Sequence, residues 1–300
     1  MSPGAVGHLA MLTFALLVGG SFALGTRIAN EIDPAALNAV RFLIATAIIG
    51  ALAFATTGIR RSALAAPWRY LVLGGLLAIY FVLMFEGLKT ASAVSAAAVF
   101  TLTPLLAAGF GWLLLRQRLT PRMAVALGLG ALGALWVIFR GELSALLALD
   151  VGRGEAIYFV GVAAHAAYTP MVRKLNRGEP AIVFTFGMML AGCGVLTVWG
   201  WSELVLIDWA ALSPLVWITL VYLAVFASAT TFVLLQVATL RLPSAKVMAY
   251  TYLTPSSVIA WEVALGGAVP RPVVALGVVL SAVALLLLLR DEERAEPVRV

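Results

Sequence analysis

Charge is scarce in this chain. Only 11% of its 300 residues are Asp, Glu, Lys or Arg, against 63% hydrophobic. Soluble domains carry roughly 25% charged residues, so the mean hydropathy of +1.04 marks an integral membrane protein. Cysteine is scarcer still. Cys193 stands alone in an apolar run, which excludes a disulfide framework and a cysteine-based zinc site. The two histidines, His8 and His165, lie too far apart in the chain to read as a catalytic pair. No P-loop, Gly-x-Ser-x-Gly, His-Glu-x-x-His or metal-ligand cluster occurs, so a built-in ATPase and the common hydrolytic centres have no motif here. No cofactor is implied, and no loop is long enough to house a soluble catalytic domain. A ring of like charges or a carbonyl filter, as a channel requires, is also missing. The formal charge of +6 is not gathered on an amphipathic element, so nucleic acid is not a partner.

What the chain has is long apolar runs. A span needs about 20 mostly apolar residues, and ten segments qualify: 8–26, 34–57, 67–88, 91–115, 121–139, 155–173, 180–201, 213–237, 244–267 and 272–289. The first run has no Lys or Arg before it and no clean cleavage site, so it reads as a retained helix rather than a signal peptide.

Orientation follows from the basic residues. With the N-terminus in the cytoplasm, the inner segments hold Arg60, Arg61, Arg69, Arg116, Arg118, Arg122, Arg173, Lys174, Arg177, Arg241, Lys246, Arg290, Arg294 and Arg299. The outer segments hold only Arg27, Lys89, Arg140, Arg153 and Arg271. This positive-inside bias puts both termini in the cytoplasm. The multi-pass chain is then expected in a bacterial inner membrane.

Two landmarks recur in the same order about half the chain apart. Leu102-Thr103-Pro104 returns as Leu253-Thr254-Pro255, and Pro121-Arg122-x-x-Val125-Ala126-Leu127-Gly128 as Pro270-Arg271-x-x-Val274-Ala275-Leu276-Gly277. An internal repeat is the reading that fits both. Residues 1–140 form one five-span unit, 141–154 a periplasmic connection, 155–290 the second unit and 291–300 a cytoplasmic tail. An odd number of spans per unit makes the repeats inverted, as in secondary transporters whose site lies between the halves. The expected fold is thus all-α, with ten transmembrane helices as two inverted five-helix repeats.

This organisation, with a proline in the fourth helix of each half, resembles the drug/metabolite transporter superfamily and its EamA-type branch. Gly19-Gly20-Ser21-Phe22 is similar to that family's Trp-Gly-Ser-x-Phe signature, with Gly19 in place of the tryptophan, and Arg41-Phe42 matches its Arg-Phe pair. Leu113-Leu114-Leu115-Arg116-Gln117-Arg118-Leu119-Thr120 stands where the family has a leucine-rich run ending in Gly-Glu-x-Leu-Thr. Arg116 and Gln117 replace Gly-Glu, and Gly266-Gly267 ends the second run without a glutamate. Among ten-helix members the chain looks closest to YddG-type exporters of aromatic and other amino acids. The resemblance implies a cavity lined by the first, third, fourth, sixth, eighth and ninth helices.

The candidate binding residues come from polar stripes. Tyr158, His165 and Tyr168 share one face of the sixth span, and Tyr250, Thr254, Ser257 and Trp261 share one face of the ninth, above Pro255. Polar stripes inside lipid face the bundle interior or a water-filled cavity; interhelical hydrogen bonding is the alternative. With Tyr80 and Tyr252, these rings and hydroxyls suit an amphipathic solute with a planar side chain. Pro104 and Pro255 are the candidate hinges. Glu262, inside an apolar run, either binds an amine or carries a proton, or anchors two helices. Glu86 reads as an interfacial partner of Lys89, and Arg41 either snorkels outward or attracts a carboxylate. Glycine pairs 19–20, 74–75 and 266–267 permit close helix contact.

The function expected is a secondary transporter, monomer in scale, that exports aromatic or large apolar amino acids and related metabolites by alternating access. Transport of cationic drugs or nucleotide sugars is the runner-up, and a membrane-embedded lipid-modifying enzyme is the reading from another class.

Overall fold

Lipid offers no partner to a free backbone N–H or C=O, so each spanning segment must close its own hydrogen bonds. The structure, a computed structural model, describes residues 3–291 apart from 117–119, 140, 149–150, 240, 243 and 270. Among the described residues every regular element is a helix. In order they are α1 (Pro3–Ile28), α2 (Pro34–Thr56), α3 (Trp68–Leu88), α4 (Ala93–Phe100), α5 (Thr103–Leu115), α6 (Pro121–Ile138), α7 (Leu143–Ala148) and α8 (Arg153–Leu175). Then come α9 (Ala181–Trp199), α10 (Trp201–Leu206), α11 (Pro214–Ala224), α12 (Thr231–Thr239), α13 (Ser244–Ala249), α14 (Thr254–Ala264) and α15 (Val274–Asp291).

Among the described residues, seven segments are long and apolar enough to cross a membrane: Gly4–Ile28, Pro34–Thr56, Trp68–Leu88, Ala93–Leu115, Pro121–Ile138, Ala181–Trp199 and Pro214–Leu235. They coincide with seven of the ten expected spans. The other three differ for separate reasons. Helix α8 is long, but Arg153, Glu155, His165, Arg173 and Lys174 lower its apolar character. The ninth candidate is broken into α13, a 3-10 turn over Tyr250–Leu253, and α14. In α15 the apolar stretch is shorter, Val274–Leu287. Gln117, Arg118, Arg140, Pro270, Arg294 and Arg299 lie outside the described residues.

Local chemistry sets the helix ends. Asp33 caps α2, its carboxylate accepting from the backbone N–H groups of Ala35 and Ala36, with Pro34 at a position that needs no donor. Ser92 caps α4 and Thr120 caps α6 in the same manner. The two Thr-Pro landmarks behave alike. Each proline sits in the first turn of a new helix, α5 or α14, directly after an interruption. The chain therefore breaks before Pro104 and Pro255, rather than bending through them, because proline lacks the donor a continuous helix would need there.

Helix α3 packs lengthwise on α8 and α9, α2 on α9, α6 on α15, and α1 on α12 and α14. Glycines allow the closest crossings. A Cβ on Gly74 of α3 would fall 2.6 Å from Met188 O of α9, and one on Gly133 of α6 would fall 2.7 Å from Gly277 O of α15. Gly75 meets open space instead. The main buried core joins α1, α2, α3, α4, α8 and α9 around Phe22, Phe42, Tyr80, Phe100, Tyr158 and Met188. Large apolar side chains such as Leu43, Phe54, Trp112 and Val198 lie on the outside, as a lipid-facing surface requires.

Candidate functional site

Aromatic rings from four helices converge near the middle of the bundle. On α8, Tyr158, His165 and Tyr168 recur at helical spacing and face α3. The Tyr80 ring lies 4.5 Å from His165 and 6.0 Å from Tyr158, centroid to centroid, and the two tyrosine hydroxyls are 3.2 Å apart. His165 stacks on Tyr168 at 5.9 Å and meets Phe100 of α4 at 5.6 Å. Phe22 of α1 closes the row against Phe100 and Tyr158. Tyr168 donates to the Met188 sulfur at 3.0 Å. His165 Nδ1 is buried and has no hydrogen-bond partner among the described residues. An unmet polar atom inside an aromatic enclosure is a place for a ligand to bond.

The ninth-span residues go elsewhere. Tyr250, Ser257 and Trp261 do share a face, but that face meets α1. Ser257 Oγ and Trp261 Nε1 both donate to Leu16 O, at 3.1 and 2.9 Å, and Tyr250 OH lies 2.6 Å from His8 Nδ1. Tyr222 adds a bond to Leu17 O. These are interhelical ties. Tyr252 turns to α6, packing on Ala126 and Leu127, and among the described residues its hydroxyl is buried without a partner, as is Thr254 Oγ1. The structure therefore groups Tyr80, His165 and Tyr168 and separates them from Tyr250, Tyr252, Ser257 and Trp261.

The ionisable candidates divide likewise. Glu262 forms an ion pair with Arg27 at 2.8 Å, joining the ends of α14 and α1, with both side chains about a quarter exposed. Glu86 pairs with Lys89 at 2.6 Å, three residues along. Arg41 does not snorkel. It is 1% exposed, with Nε donating to Ser228 Oγ at 2.8 Å, Nη2 to Ala227 O at 3.1 Å, and Cζ 4.0 Å above the Phe81 ring. Its acceptors belong to a π-helical turn, Val225–Thr230, between α11 and α12. There Thr230 Oγ1 reaches back five residues to Val225 O. Such turns widen the helix and free backbone groups.

Several partners escaped the sequence reading. Ser228, Phe22, Phe100, and Arg27 as the mate of Glu262 come from distant chain positions. A run of small and hydroxyl residues, Ala227-Ser228-Ala229-Thr230-Thr231, and Asn38 three residues before Arg41 were the local signals. Buried Glu155 accepts from Ser95 Oγ at 2.7 Å, tying α8 to α4. In the connection before α9, Glu179 meets Arg69, in the first turn of α3, at 2.6 Å. Burial pushes the Glu179 carboxyl up, but the Arg69 guanidinium and the Arg177 backbone N–H outweigh it and hold the group below its ordinary range. Among the described residues no group of three His, Cys, Asp or Glu side chains could hold a metal ion.

A helical bundle with an aromatic and polar centre, and two helical runs interrupted at matching Thr-Pro sequences, is compatible with a membrane transporter. The family comparison agrees. The chain belongs to the EamA-like transporter family, whose profile matches it twice, over residues 5–139 and 152–290. It is 28% identical over 194 residues to an uncharacterized transporter, YyaM, of Bacillus subtilis (strain 168). That alignment covers 64% of each chain, so it spans less than two thirds of the relative's length. A solved crystal structure shares the fold, with a TM-score of 0.69 at 23% identity over 95% of this chain and 96% of the other.

Proposed function

We propose that this chain is a secondary transporter that exports amino acids with aromatic or large apolar side chains, and related small metabolites, from the cytoplasm across a bacterial inner membrane. The observation that carries the reading is the central cluster of Tyr80, Phe100, Tyr158, His165 and Tyr168, with a buried imidazole nitrogen that has no partner among the described residues. Stacked rings take a planar or apolar side chain, and the imidazole and hydroxyls take a polar head.

Alternating access between two inverted halves, 1–140 and 155–290, is the mechanism we infer. The ten-span count treats α8, the interrupted α13–α14 segment and α15 as crossings. Support comes from the paired Thr-Pro interruptions, from α4 packing against α14, and from α6 packing against α15. Helix α4 is buried nearly throughout and touches α1, α14, α8 and α6, whereas α5 packs chiefly on α8 and buries only Thr103, Pro104 and Gly111. On this reading the halves meet beside α4 and diverge beside α5, which lies toward the cytoplasm. The Arg27–Glu262 pair then ties the outer ends of the first and ninth spans.

Counterflow in proteoliposomes tests the proposal. Liposomes preloaded with Phe, Trp or Met are expected to accumulate the labelled amino acid, and His165→Ala to cut the rate about tenfold, equivalent to ~1.4 kcal/mol of lost interaction. Folded protein that exchanges no amino acid would rule the substrate class out.

A further inference from the structure

Among the described residues the bundle contains a buried cation with no anion beside it. Arg27, Arg69 and Arg271 each pair with a glutamate: Glu262, Glu179 and Glu142. Arg41 is as deeply buried as Arg69, both at 1% exposure, yet among the described residues no carboxylate lies within ion-pair distance of it. Its bonds go to neutral acceptors only. The Ser228 hydroxyl and Ala227 carbonyl are close, while Asn38 Oδ1 stands 3.4 Å from Nη1, a long contact. A guanidinium has five N–H donors, and these three bonds leave one N–H on each terminal nitrogen. An arginine offers such a pair of donors to a carboxylate or phosphate. Dipoles and one ring face offset only part of the cost of burying a full charge.

Position adds a second observation. The Phe81 ring beneath Arg41 lies 4.6 Å from the Tyr80 ring, and Tyr80 lies 4.5 Å from His165. Cation and aromatic row are therefore contiguous, and His165 Nδ1 remains open at the far end. The seat of the cation is the six-residue π-helical turn, which presents Ala227 O and Ser228 Oγ to Arg41 of α2. Single π-helical turns inside α-helices are found frequently at functional sites.

We propose that Arg41 is the anion subsite of the transport pathway, and that the counter-charge missing from the fold is a carboxylate carried by the solute. Resting on the transporter reading above, this narrows its substrates to organic acids and zwitterions and excludes simple cations. The solute's carboxylate displaces the weak Asn38 contact and pairs with the free donors, while its side chain lies along Phe81, Tyr80 and His165. Arg41 then serves recognition, with Ser228 and Ala227 holding the guanidinium in place.

The test compares three probes that share one ring and differ in charge: 3-phenylpropionate, phenylalanine and phenethylamine. Thermal unfolding of the purified full chain is followed with each. In the wild type, phenylpropionate and phenylalanine are expected to raise the melting temperature and phenethylamine to leave it unchanged. Arg41→Met is expected to lose both shifts, Arg41→Lys to keep part of them, and phenylalanine counterflow to fall at least tenfold in Arg41→Met. Equal protection by phenethylamine and phenylpropionate in the wild type would overturn the proposal, and that comparison needs no variant to fold. So would a folded Arg41→Met protein that keeps its anion shift or its phenylalanine counterflow. In the last case amino acid transport survives while the Arg41 assignment fails. Conversely, protection by phenylpropionate but not phenylalanine, lost in Arg41→Met, keeps the anion subsite and removes the amino acid reading.

Discussion

Arg69 and Glu179 show what burial demands of an ionisable side chain in this molecule. Arg69 Nη2 is 2.6 Å from Glu179 Oε1, and three further N–H groups reach Leu175 O, Ala65 O and Ala66 O. Removing the acid leaves a buried cation facing carbonyls alone. Glu179→Gln is therefore expected to lower stability by about 3 kcal/mol, seen as a drop in melting temperature in detergent. The pH dependence has a definite sign. Because the folded carboxyl titrates below the ordinary 4.5, its contribution is complete above that value and is lost as pH falls through the folded one. Wild type is expected to lose melting temperature below pH 4.5 more steeply than Glu179→Gln does. A parallel acid limb in the two proteins would contradict this. The Arg27–Glu262 pair is about a quarter exposed, so solvent screens it. Glu262→Gln is expected to change stability by less than about 1 kcal/mol and to alter transport rate instead, as a tie between moving ends should.

At the scale of elements, close crossings and interruptions matter most. Gly74 brings α3 against the α9 backbone at Gly192 and Met188, and neither neighbour is a flexible side chain that can yield. Gly74→Leu is expected to cost about 1–3 kcal/mol through overpacking, while Gly75→Leu, where nothing lies within 4 Å, is expected to be tolerated. Melting curves of the two variants make the comparison directly. Pro255 opens α14 after the 3-10 turn, and Thr251 Oγ1 bonds Met248 O inside the break. Pro255→Ala restores a backbone donor and favours a continuous helix. The expected result is unchanged or higher stability with counterflow slowed roughly tenfold at similar substrate affinity, the pattern of a conformational step made harder. A variant with wild-type turnover would show that the interruption is not used as a hinge.

For the whole molecule, topology is the quantity to measure. The inverted reading puts the connection at 141–154 on the face opposite both termini. Cys193 is buried, so one introduced cysteine can be read cleanly. A cysteine at Glu142, which is exposed, is expected to react with a membrane-impermeant maleimide from the periplasmic side, and a cysteine at Val300 only after permeabilisation. Labelling of both from one side would refute the inversion.

Much of this protein was legible in its sequence. Apolar run lengths gave seven spans to within a few residues, since lipid imposes the same length on every crossing. The Thr-Pro landmarks marked both interruptions because proline's missing donor acts locally. Helical spacing also gathered Tyr158, His165 and Tyr168 on the face that meets Tyr80. Which stripe enters the central cluster was a different matter. The ninth-span stripe had the same periodicity, yet the chain delivers it to Leu16 and His8 of α1. Arg41 found its acceptors 186 and 187 residues away in a π-helical turn, and Glu262 its partner 235 residues away. Periodicity fixes which residues share a face. Only packing decides what that face meets, because the energy of a buried charge or hydroxyl depends on the partner that tertiary contact supplies.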